Sequence, residues 1–490
     1  MKAAKHLKIG TILALSLILT LGFFASGQEK AREKINWNKP RSHSERLTAD
    51  HYIFPEGWEE ATQGVEKISF YNSGSIKWDI ATKVNIERFT ELTGIEVEAI
   101  PVSSNLEVTK SVSTLVSKDT SVEAPGLDMT GFELSSVAAP NWVDPVGVLY
   151  PPEVLELYQE EWQNILTWDG NFYAMPITYI SHGDFYRPSF FENADVEIPD
   201  TYTEFLDAAK EVQNWLKKNK EGQDYSGTLI GAGGRTQLAG TFRTILYSNG
   251  EKMYANGEWR FDTKEAEEAF KWMVKAFREG VISSAALNYS LGGVADTFEA
   301  GKSASMISMQ PSYLQYYKNQ TDIGQDVALR GFKFDSEDPD SLIGANMVNA
   351  NSITVNKYID DNEKAAVMLL GDYLKSLQAQ RNELIVEGNG SPMEYLWNNL
   401  EEQIKLVDWD FVNKQAEKLG LSPYEPVTIE EFRANRKGQK ELNLGATHTA
   451  YPPSATEITD KFQTEFQKAA KGNISAEEAL ENIDEFAKEF

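Results

Sequence analysis

The sequence predicts an α/β fold with at least two lobes, and two observations carry that prediction. The chain has 490 residues, more than one ordinary domain holds. Residues 65–71 form a strand-like apolar run, residues 79–92 carry apolar side chains at helical spacing, and residues 95–102 form a second strand-like run. This strand–helix–strand opening favours helices layered on mainly parallel sheets.

The same alternation continues along the chain. Helical spacing and stop signals predict further helices at residues 106–117, 202–218, 264–278 and 363–377. Shorter apolar runs predict strands just before Gly131 and at residues 228–231. From Met393 onward the pattern is almost wholly helical, with one helix over residues 456–471 and Ser475 as the cap of the last helix. The C-terminal portion is therefore predicted to be helical.

The composition excludes several classes of function. Lys and Arg number 47 against 74 Asp and Glu, which gives a net charge of −27. A protein that binds nucleic acid through its phosphates needs a basic surface, so we expect no nucleic-acid partner. The chain has no cysteine, which excludes disulfides, thiol nucleophiles and thiolate metal sites.

The N-terminus has the pattern of a secretory signal peptide. Lysines precede an apolar run that small residues follow: Lys2, Lys5 and Lys8, then residues 9–24, then residues 25–27. We predict a signal peptide over residues 1–27 and secretion across the cytoplasmic membrane, with an uncleaved N-terminal anchor as the alternative. Residues 28–64 are mostly polar and lack periodicity, which predicts a flexible tether.

Motifs of catalytic chemistry are missing from the sequence. There is no Gly-x-Ser-x-Gly turn, and none of the five histidines belongs to a His-Glu-x-x-His pair. The glycine cluster at residues 231–234 follows a predicted strand, but it lacks the third fingerprint glycine and the Lys-Ser/Thr pair of phosphate-binding loops. We therefore expect no catalytic residue, no metal and no cofactor. Carboxylates are abundant enough that a pair suited to glycoside hydrolysis remains an alternative.

Aromatic residues are the more informative feature. The chain has 11 Trp, 20 Tyr and 24 Phe, and several lie beside polar residues in predicted loops. An aromatic face stacks on the apolar face of a sugar ring, while neighbouring amides and carboxylates bind its hydroxyls. The composition therefore favours a carbohydrate ligand.

Several short runs, in this order, resemble one family. Residues 168–176 read Trp-Asp-Gly-Asn-Phe-Tyr-Ala-Met-Pro, residues 199–205 read Pro-Asp-Thr-Tyr-Thr-Glu-Phe, and residues 298–306 read Phe-Glu-Ala-Gly-Lys-Ser-Ala-Ser-Met. Together they resemble runs of the extracellular solute-binding proteins of ABC importers, the carbohydrate-type family that includes maltose-binding protein. Two positions depart from the family pattern. Arg187 stands where asparagine is usual, and Gln28 stands where lipoprotein relatives carry the acylated cysteine.

The resemblance implies a two-lobed periplasmic-binding-protein-like fold of type II, with the ligand in the cleft between the lobes. Three segments would cross between the lobes, near residues 177–183, 305–310 and 351–357. The first lobe would hold residues 65–178 plus 310–352, and the second would hold residues 183–305 plus 357–490. Residues near the crossings would act as the hinge when the lobes close on a ligand.

The resemblance also implies candidate ligand-binding residues. The first lobe would supply Ser75, Lys77, Trp78, Asp128 and Phe132. Crossings and their neighbours would supply Tyr179, Gln310, Ser312, Tyr313 and Asn346. The second lobe would supply Arg235 and Gln237. For Arg235 the alternative is a surface ion pair with one of the many acidic residues.

The expected function is high-affinity binding of a carbohydrate, preferably an oligosaccharide, and its delivery to the permease subunits of an ABC importer by hinge closure. The resemblance implies a monomer that works in the periplasm or at the cell surface and is not an enzyme. Three alternatives stay open: a secreted glycoside-acting enzyme, a binding protein for a non-sugar solute, and an adhesin or scaffold.

Overall fold

Two separate hydrophobic cores organise the molecule. The computed structural model describes residues 30–73, 79–103, 106–220, 224–335, 348–435 and 451–490. One core is built from side chains between residues 35 and 179 and between residues 350 and 432. The other is built mainly from side chains between residues 185 and 334 and between residues 451 and 487. We call the parts around these cores the first lobe and the second lobe.

The first stretch of the chain, up to residue 181, belongs to the first lobe. Its helices are α1 (His43–Leu47), α2 (Trp58–Ala61), α3 (Ile80–Thr93), α4 (Glu107–Val116), α5 (Thr130–Ala138), α6 (Pro152–Leu155) and α7 (Glu160–Asn164). Its strands are β1 (Lys67–Ser73), β2 (Glu96–Val102), β3 (Gly126–Leu127), β4 (Val143–Asp144), β5 (Thr167–Trp168), β6 (Asn171–Phe172) and β7 (Ala174–Ser181). The predicted opening of strand, helix and strand is confirmed.

Residues 183–335 belong to the second lobe. Their helices are α8 (Pro188–Ala194), α9 (Tyr202–Asn219), α10 (Arg235–Ser248), α11 (Lys264–Arg278), α12 (Leu291–Glu299) and α13 (Ser312–Gln320). Their strands are β8 (Gly183–Tyr186), β9 (Tyr254–Ala255), β10 (Glu258–Trp259), β11 (Ser305–Met309) and β12 (Ala328–Arg330). Helix α11 has the predicted bounds, because Thr263 caps its first turn by accepting a hydrogen bond from the backbone N–H of Ala266.

The chain then returns to the first lobe and ends in the second. Residues 348–435 form β13 (Val348–Asn356), α14 (Asp361–Leu374), α15 (Leu377–Arg381), a π-helix (Asn382–Glu387), α16 (Glu394–Asn398), α17 (Leu400–Lys405), α18 (Trp409–Lys418) and α19 (Ile429–Asn435). The last two helices are α20 (Ala455–Ala470) and α21 (Ala476–Ala487). The predicted helical C-terminal portion is confirmed, including the cap at Ser475, whose Oγ accepts the Glu478 N–H at 3.0 Å.

Strand pairing differs from the expectation of mainly parallel sheets. Strands β1 and β2 are parallel, whereas β13 runs antiparallel to β3, β4 and β7, and β8 runs antiparallel to β11 and β12. Strand β13 forms its pairs where the chain re-enters the first lobe after the long excursion through the second. The predicted strand at residues 228–231 is not a regular strand, because it pairs with β11 only through Leu229, which bonds Ser305 and Ile307.

The lobes divide the chain differently from the expected segments. The chain passes from the first core to the second between β7 and β8, within residues 177–183. The segment at residues 305–310 does not cross, because Met306 and Met309 are buried in the second core. The segment at residues 351–357 does not cross either, because Ile353 and Val355 are buried in the first core. The described stretches instead change lobe between residues 334 and 350 and between residues 432 and 451.

The segment expected to be a flexible tether is part of the first lobe. Five of its apolar side chains are buried in the first core: Ile35, Trp37, Leu47, Tyr52 and Ala61. The predicted signal peptide over residues 1–27 lies outside the described residues. Among the residues that are described, no helix combines the length and the apolar character needed to cross a membrane.

A buried carboxylate on α14 fixes this segment to the lobe. Asp372 accepts hydrogen bonds from His43 Nε2 at 2.5 Å, from the Tyr52 hydroxyl at 2.6 Å and from Arg46 at 3.3 Å. Lys375 Nζ lies 3.6 Å from the same carboxylate. Burial alone would raise the pKa of Asp372, but the charge and hydrogen bond of His43 and the charges of Lys375 and Arg46 hold it well below its usual range.

Replacing this carboxylate is expected to loosen the N-terminal segment. Asp372→Asn leaves buried cationic groups without their counter-charge and should lower the free energy of unfolding by about 3–5 kcal/mol, measured by urea denaturation. The matched control on the same helix is Asp361→Asn, which removes a partly exposed ion pair with Arg32 and should cost no more than about 1 kcal/mol. Equal effects of the two substitutions would contradict the role of Asp372.

Candidate functional site

A small cavity lies where the two lobes meet. Its lining comes from both lobes and from the first crossing: Asp128, Met129, His182, Gln237, Leu291, Ser308, Gln310 and Asn349. Its volume is about 10 Å³, roughly the space that one water molecule needs. The lobes are therefore closed on each other here, and a sugar ring enters this position only after they move apart.

The ends of strands bring the first-lobe residues to the cavity. Asp128 follows β3 directly, and the next turn begins α5. Asn349 lies on β13, and its side-chain amide donates a hydrogen bond to the Asp128 carbonyl oxygen at 2.8 Å. Carboxyl ends of strands are where α/β proteins bind ligands. This edge of the first-lobe sheet therefore presents a carboxylate and an amide to the second lobe.

The glycine cluster at residues 231–234 serves close packing on the second-lobe side. A Cβ on Gly233 would lie 2.6 Å from the carbonyl carbon of Asn288, which is too close for any side chain. Only glycine, which has no Cβ, fits at this position. Helix α10 begins just after the cluster, and Gln237 in its first turn lines the cavity. The cluster thus lets the start of α10 approach the junction of the lobes.

Ser308 has a strained backbone at the cavity wall. Its φ angle is +56°, in the left-handed region that non-glycine residues rarely adopt. It lies where the register of β11 against β8 shifts, and its N–H donates to Asp184 Oδ1 at 2.9 Å. Strain of this kind concentrates at ligand sites, because the surrounding structure must hold it in place.

Three of the predicted ligand residues line the cavity, namely Asp128, Gln237 and Gln310. Two more, Ser312 and Tyr313, lie buried at the start of α13, directly after Gln310. Burial raises the pKa of Tyr313, and so do the charges of nearby Asp79 and Asp128. Tyr313 is therefore close to the first-lobe side of the cleft. Ligand contact by these residues stays a prediction.

Three other candidates, Tyr179, Arg235 and Phe132, have different surroundings from those expected. Tyr179 packs edge-on against Trp162 in the first core, with ring centroids 4.7 Å apart. Arg235 Nη1 lies 3.0 Å from both carboxylate oxygens of Asp460. This is the surface ion pair that is the alternative to ligand binding at Arg235. The remaining candidates lie outside the described residues: Ser75, Lys77, Trp78 and Asn346.

Phe132 joins the lobes instead of lining the cavity. Its ring stacks on Tyr451 of the second lobe at 4.3 Å, with 9° between the ring planes. The guanidinium of Arg243 lies over the same ring at 4.8 Å from its centroid. This aromatic and cationic stack holds α5 against the second lobe.

Sequence reasoning missed several residues at the cavity. His182 lies within the crossing predicted at residues 177–183. Its position in this crossing could have indicated that it lines the cavity. Ser308 likewise lies within the segment predicted to cross at residues 305–310. Asn349 gave no signal, because it lies within a strand. Met129 and Leu291 are apolar and look like ordinary core residues in the sequence.

Carboxyl groups are concentrated beside the cavity on the first-lobe side. Burial raises the pKa of Asp128 to about 6, against a hydrogen bond from Ser73. Burial and the charge of Asp128 raise the pKa of Glu133 to about 8. Burial also raises the pKa of Asp79 to about 7, and the pKa of Glu107 lies well above its usual value for the same reason. The first-lobe side of the cleft thus disfavours additional negative charge.

Glu133 and a further buried carboxyl group, that of Glu387, lie at helix N-termini. Glu133 Oε2 accepts the Met129 N–H at the start of α5, at 3.0 Å. Glu387 Oε2 accepts the Ala81 N–H at the start of α3, at 2.9 Å. Helix N-termini attract anions because their N–H groups are unpaired and the helix dipole is positive there. At α3 and α5 the protein's own carboxyl groups fill that role, which leaves less attraction for an anionic ligand.

No metal centre is apparent in the described part of the chain. Within it, no group of three or more His, Asp or Glu side chains is arranged to hold a metal ion. The polar groups at the cavity are amides, a hydroxyl, an imidazole and a carboxyl, which suit hydrogen bonds to a hydroxyl-rich solute.

The buried carboxyl of Glu133 predicts a pH-dependent stability. Its folded pKa of about 8 lies above the ordinary value of 4.5, so the folded state binds the proton more tightly than the unfolded state does. Stability should therefore fall as pH rises from 4.5 toward 8, by up to about 1.4 kcal/mol per pH unit. Glu133→Gln should flatten this decline, measured by urea unfolding at several pH values. Exposed Glu457→Gln is the control, and an equal decline in both variants would contradict the assignment.

Comparisons with solved structures agree on the fold. Maltose-bound MalE3 from T. maritima superposes with a TM-score of 0.67 at 18% identity, covering 86% of this chain and 99% of that one. A solute-binding protein from Thermotoga lettingae bound with alpha-D-tagatose gives 0.67 at 17% identity, with the same coverage. A substrate-binding protein from Listeria monocytogenes in complex with cycloalternan gives 0.64 at 16% identity, covering 86% and 98%. At these identities the likeness establishes the two-lobed fold alone.

Sequence comparison identifies the family. Among curated proteins, none matches the chain. The family profile of the bacterial extracellular solute-binding proteins matches residues 85–392, more than half of the chain. The protein therefore belongs to the bacterial extracellular solute-binding proteins.

Proposed function

We propose that this protein binds a neutral carbohydrate, preferably an oligosaccharide, in the cleft between its lobes and delivers it to an ABC importer. One observation carries the proposal: hydrogen-bonding side chains from both lobes converge on one cavity. Asp128 and Asn349 come from the first lobe, and Gln237, Ser308 and Gln310 come from the second. Members of the family are binding proteins that work outside the cytoplasm.

The two-sided lining supplies a mechanism for transport. A ligand that contacts both lobes binds the closed form more tightly than the open form, because the open form offers only one half of the contacts. Binding therefore shifts the population toward closure about the crossings, where His182 lies. The closed shape is then the signal that the permease subunits read.

The chemistry of the cavity supports a neutral, hydroxyl-rich ligand. Amide and hydroxyl groups can each donate and accept, which suits sugar hydroxyls that also do both. Carboxyl groups already occupy the helix N-termini at Met129 and Ala81, which disfavours phosphate or carboxylate solutes. Structural neighbours hold sugars of this neutral kind, including maltotriose in the Bdellovibrio bacteriovorus protein.

The remaining expectations belong to the same proposal. The protein would be exported through the N-terminal segment at residues 1–27, with an uncleaved segment as the alternative anchor. It would act as a monomer without a nucleic-acid partner, in keeping with its net charge of −27. It would release its sugar unchanged.

A thermal-shift screen tests the proposal. Neutral mono- and oligosaccharides should raise the melting temperature for one sugar series, because a ligand that binds only the folded state stabilises it. Chromatography should recover that sugar intact. Sugar acids, amino acids and polyamines serve as the comparison. A shift with these alone would refute the carbohydrate assignment, and cleavage of the sugar would identify a glycoside-acting enzyme.

Substitutions in the cleft should separate ligand contacts from surface groups. Gln310→Ala and Gln237→Ala each remove a neutral hydrogen-bonding group and should weaken the affinity for that sugar by about 3- to 10-fold in calorimetric titrations. Arg235→Ala breaks an ion pair with Asp460 on the surface and should leave the affinity nearly unchanged. The reverse order of effects would contradict the proposed geometry.

A further inference from the structure

Besides the cavity and the Phe132 stack, the lobes touch at the C-terminal end of α13. Helix α13 of the second lobe ends at Gln320, whose side-chain amide donates to the Ser422 carbonyl oxygen at 3.0 Å and accepts the Ser422 N–H at 2.8 Å. The neighbouring Asn319 accepts the Glu425 N–H through Oδ1 at 3.2 Å. Three hydrogen bonds therefore join the C-terminal end of α13 to the loop at residues 420–427.

Each side of this contact is rigidly held by its own lobe. Leu314 and Tyr317 of α13 are buried in the second core. Tyr424 of the loop is buried in the first core. The side chain of Asn413 fixes the loop by accepting the Tyr424 N–H at 2.7 Å and donating to the Tyr424 carbonyl oxygen at 3.2 Å. The contact therefore joins two rigid bodies and is not a property of one mobile loop.

Helix α13 connects this contact to the cleft. Its first residue, Ser312, comes two positions after Gln310 at the cavity. With a rise of about 1.5 Å per residue, Gln320 lies ~12 Å further along the helix than Ser312. Neither Asn319 nor Gln320 lines the cavity. Because the two sides of the contact belong to different lobes, rotation of one lobe relative to the other would break these hydrogen bonds.

We propose that Asn319 and Gln320 are positioning residues that hold the lobes closed and thereby set ligand affinity without touching the ligand. This inference rests on the proposed function. The sugar enters the open form, and contacts made only in the closed form then stabilise the sugar-bound protein against reopening, so they tighten binding and slow release. Loss of three neutral hydrogen bonds should weaken the affinity by about 10- to 100-fold.

The test is the double variant Asn319→Ala/Gln320→Ala. Asn319 also donates to the Gln315 carbonyl oxygen of its own helix at 2.8 Å. The matched control is Asn219→Ala, because Asn219 makes the same bond to Trp215 at 2.8 Å in α9 and crosses to no other lobe. Any effect of losing that local bond is therefore measured separately.

Inter-lobe distances provide a readout that does not depend on knowing the cargo. Because the chain has no cysteine, Glu402→Cys in the first lobe and Glu211→Cys in the second introduce unique spin-label sites. Pulsed electron paramagnetic resonance measures the distance between the two spin labels, without sugar and with maltotriose as the probe. The double variant should show a smaller short-distance population than the wild-type protein, and the Asn219→Ala control should match the wild type.

Kinetics with the sugar that the thermal-shift screen identifies complete the test. The double variant should release that sugar about 10- to 100-fold faster with little change in the association rate. Unchanged distances and release rates would overturn the proposal. Absence of any short-distance population in the wild-type protein would also overturn the proposed role of Asn319 and Gln320. The proposed function is judged separately, because it stands if a sugar binds in the thermal-shift screen.

Discussion

The separation of the apolar side chains into two cores is the constraint on which the rest of the structure depends. Each lobe buries its own core, and the chain passes from one to the other between β7 and β8 and again later in the sequence. Polar strand ends and helix starts are left facing one another at the junction, where Asp128 meets Gln237 and Gln310. A cleft lined by both lobes, and a motion that opens it, follow from this division.

The local pattern of apolar and polar residues predicted the helices and strands well, but it predicted poorly which lobe each of them belongs to. Helix α11 was predicted from its apolar spacing and from the stop signal Gly280 just after its end, and both signals are local in the sequence. Periodicity does not reveal which of two cores an apolar face joins, so α13 and α14 were assigned to the wrong lobes. The N-terminal segment looked like a tether because its buried residues are irregularly spaced among polar ones, and because its partner Asp372 lies more than 300 positions away.

The candidate site residues were expected from the family resemblance, and local pattern does not reveal the direction of their side chains. Asp128 and Gln310, expected in this way, directly follow the strands β3 and β11 and line the cavity. Tyr179 lies on a strand whose alternate side chains face opposite ways, and its ring points into the first core. The carboxyl groups at Met129 and Ala81 could not be foreseen, since α3 receives its carboxyl from Glu387, far along the chain.

The central claim is that a sugar binds between the lobes and contacts both. The most direct measurement is a crystal structure of the complex with the sugar that gives the largest thermal shift. We expect sugar density within hydrogen-bond distance of Asp128 or Asn349 on one side and of Gln237 or Gln310 on the other. Sugar bound to a single lobe, or at a site away from the cleft, would contradict it.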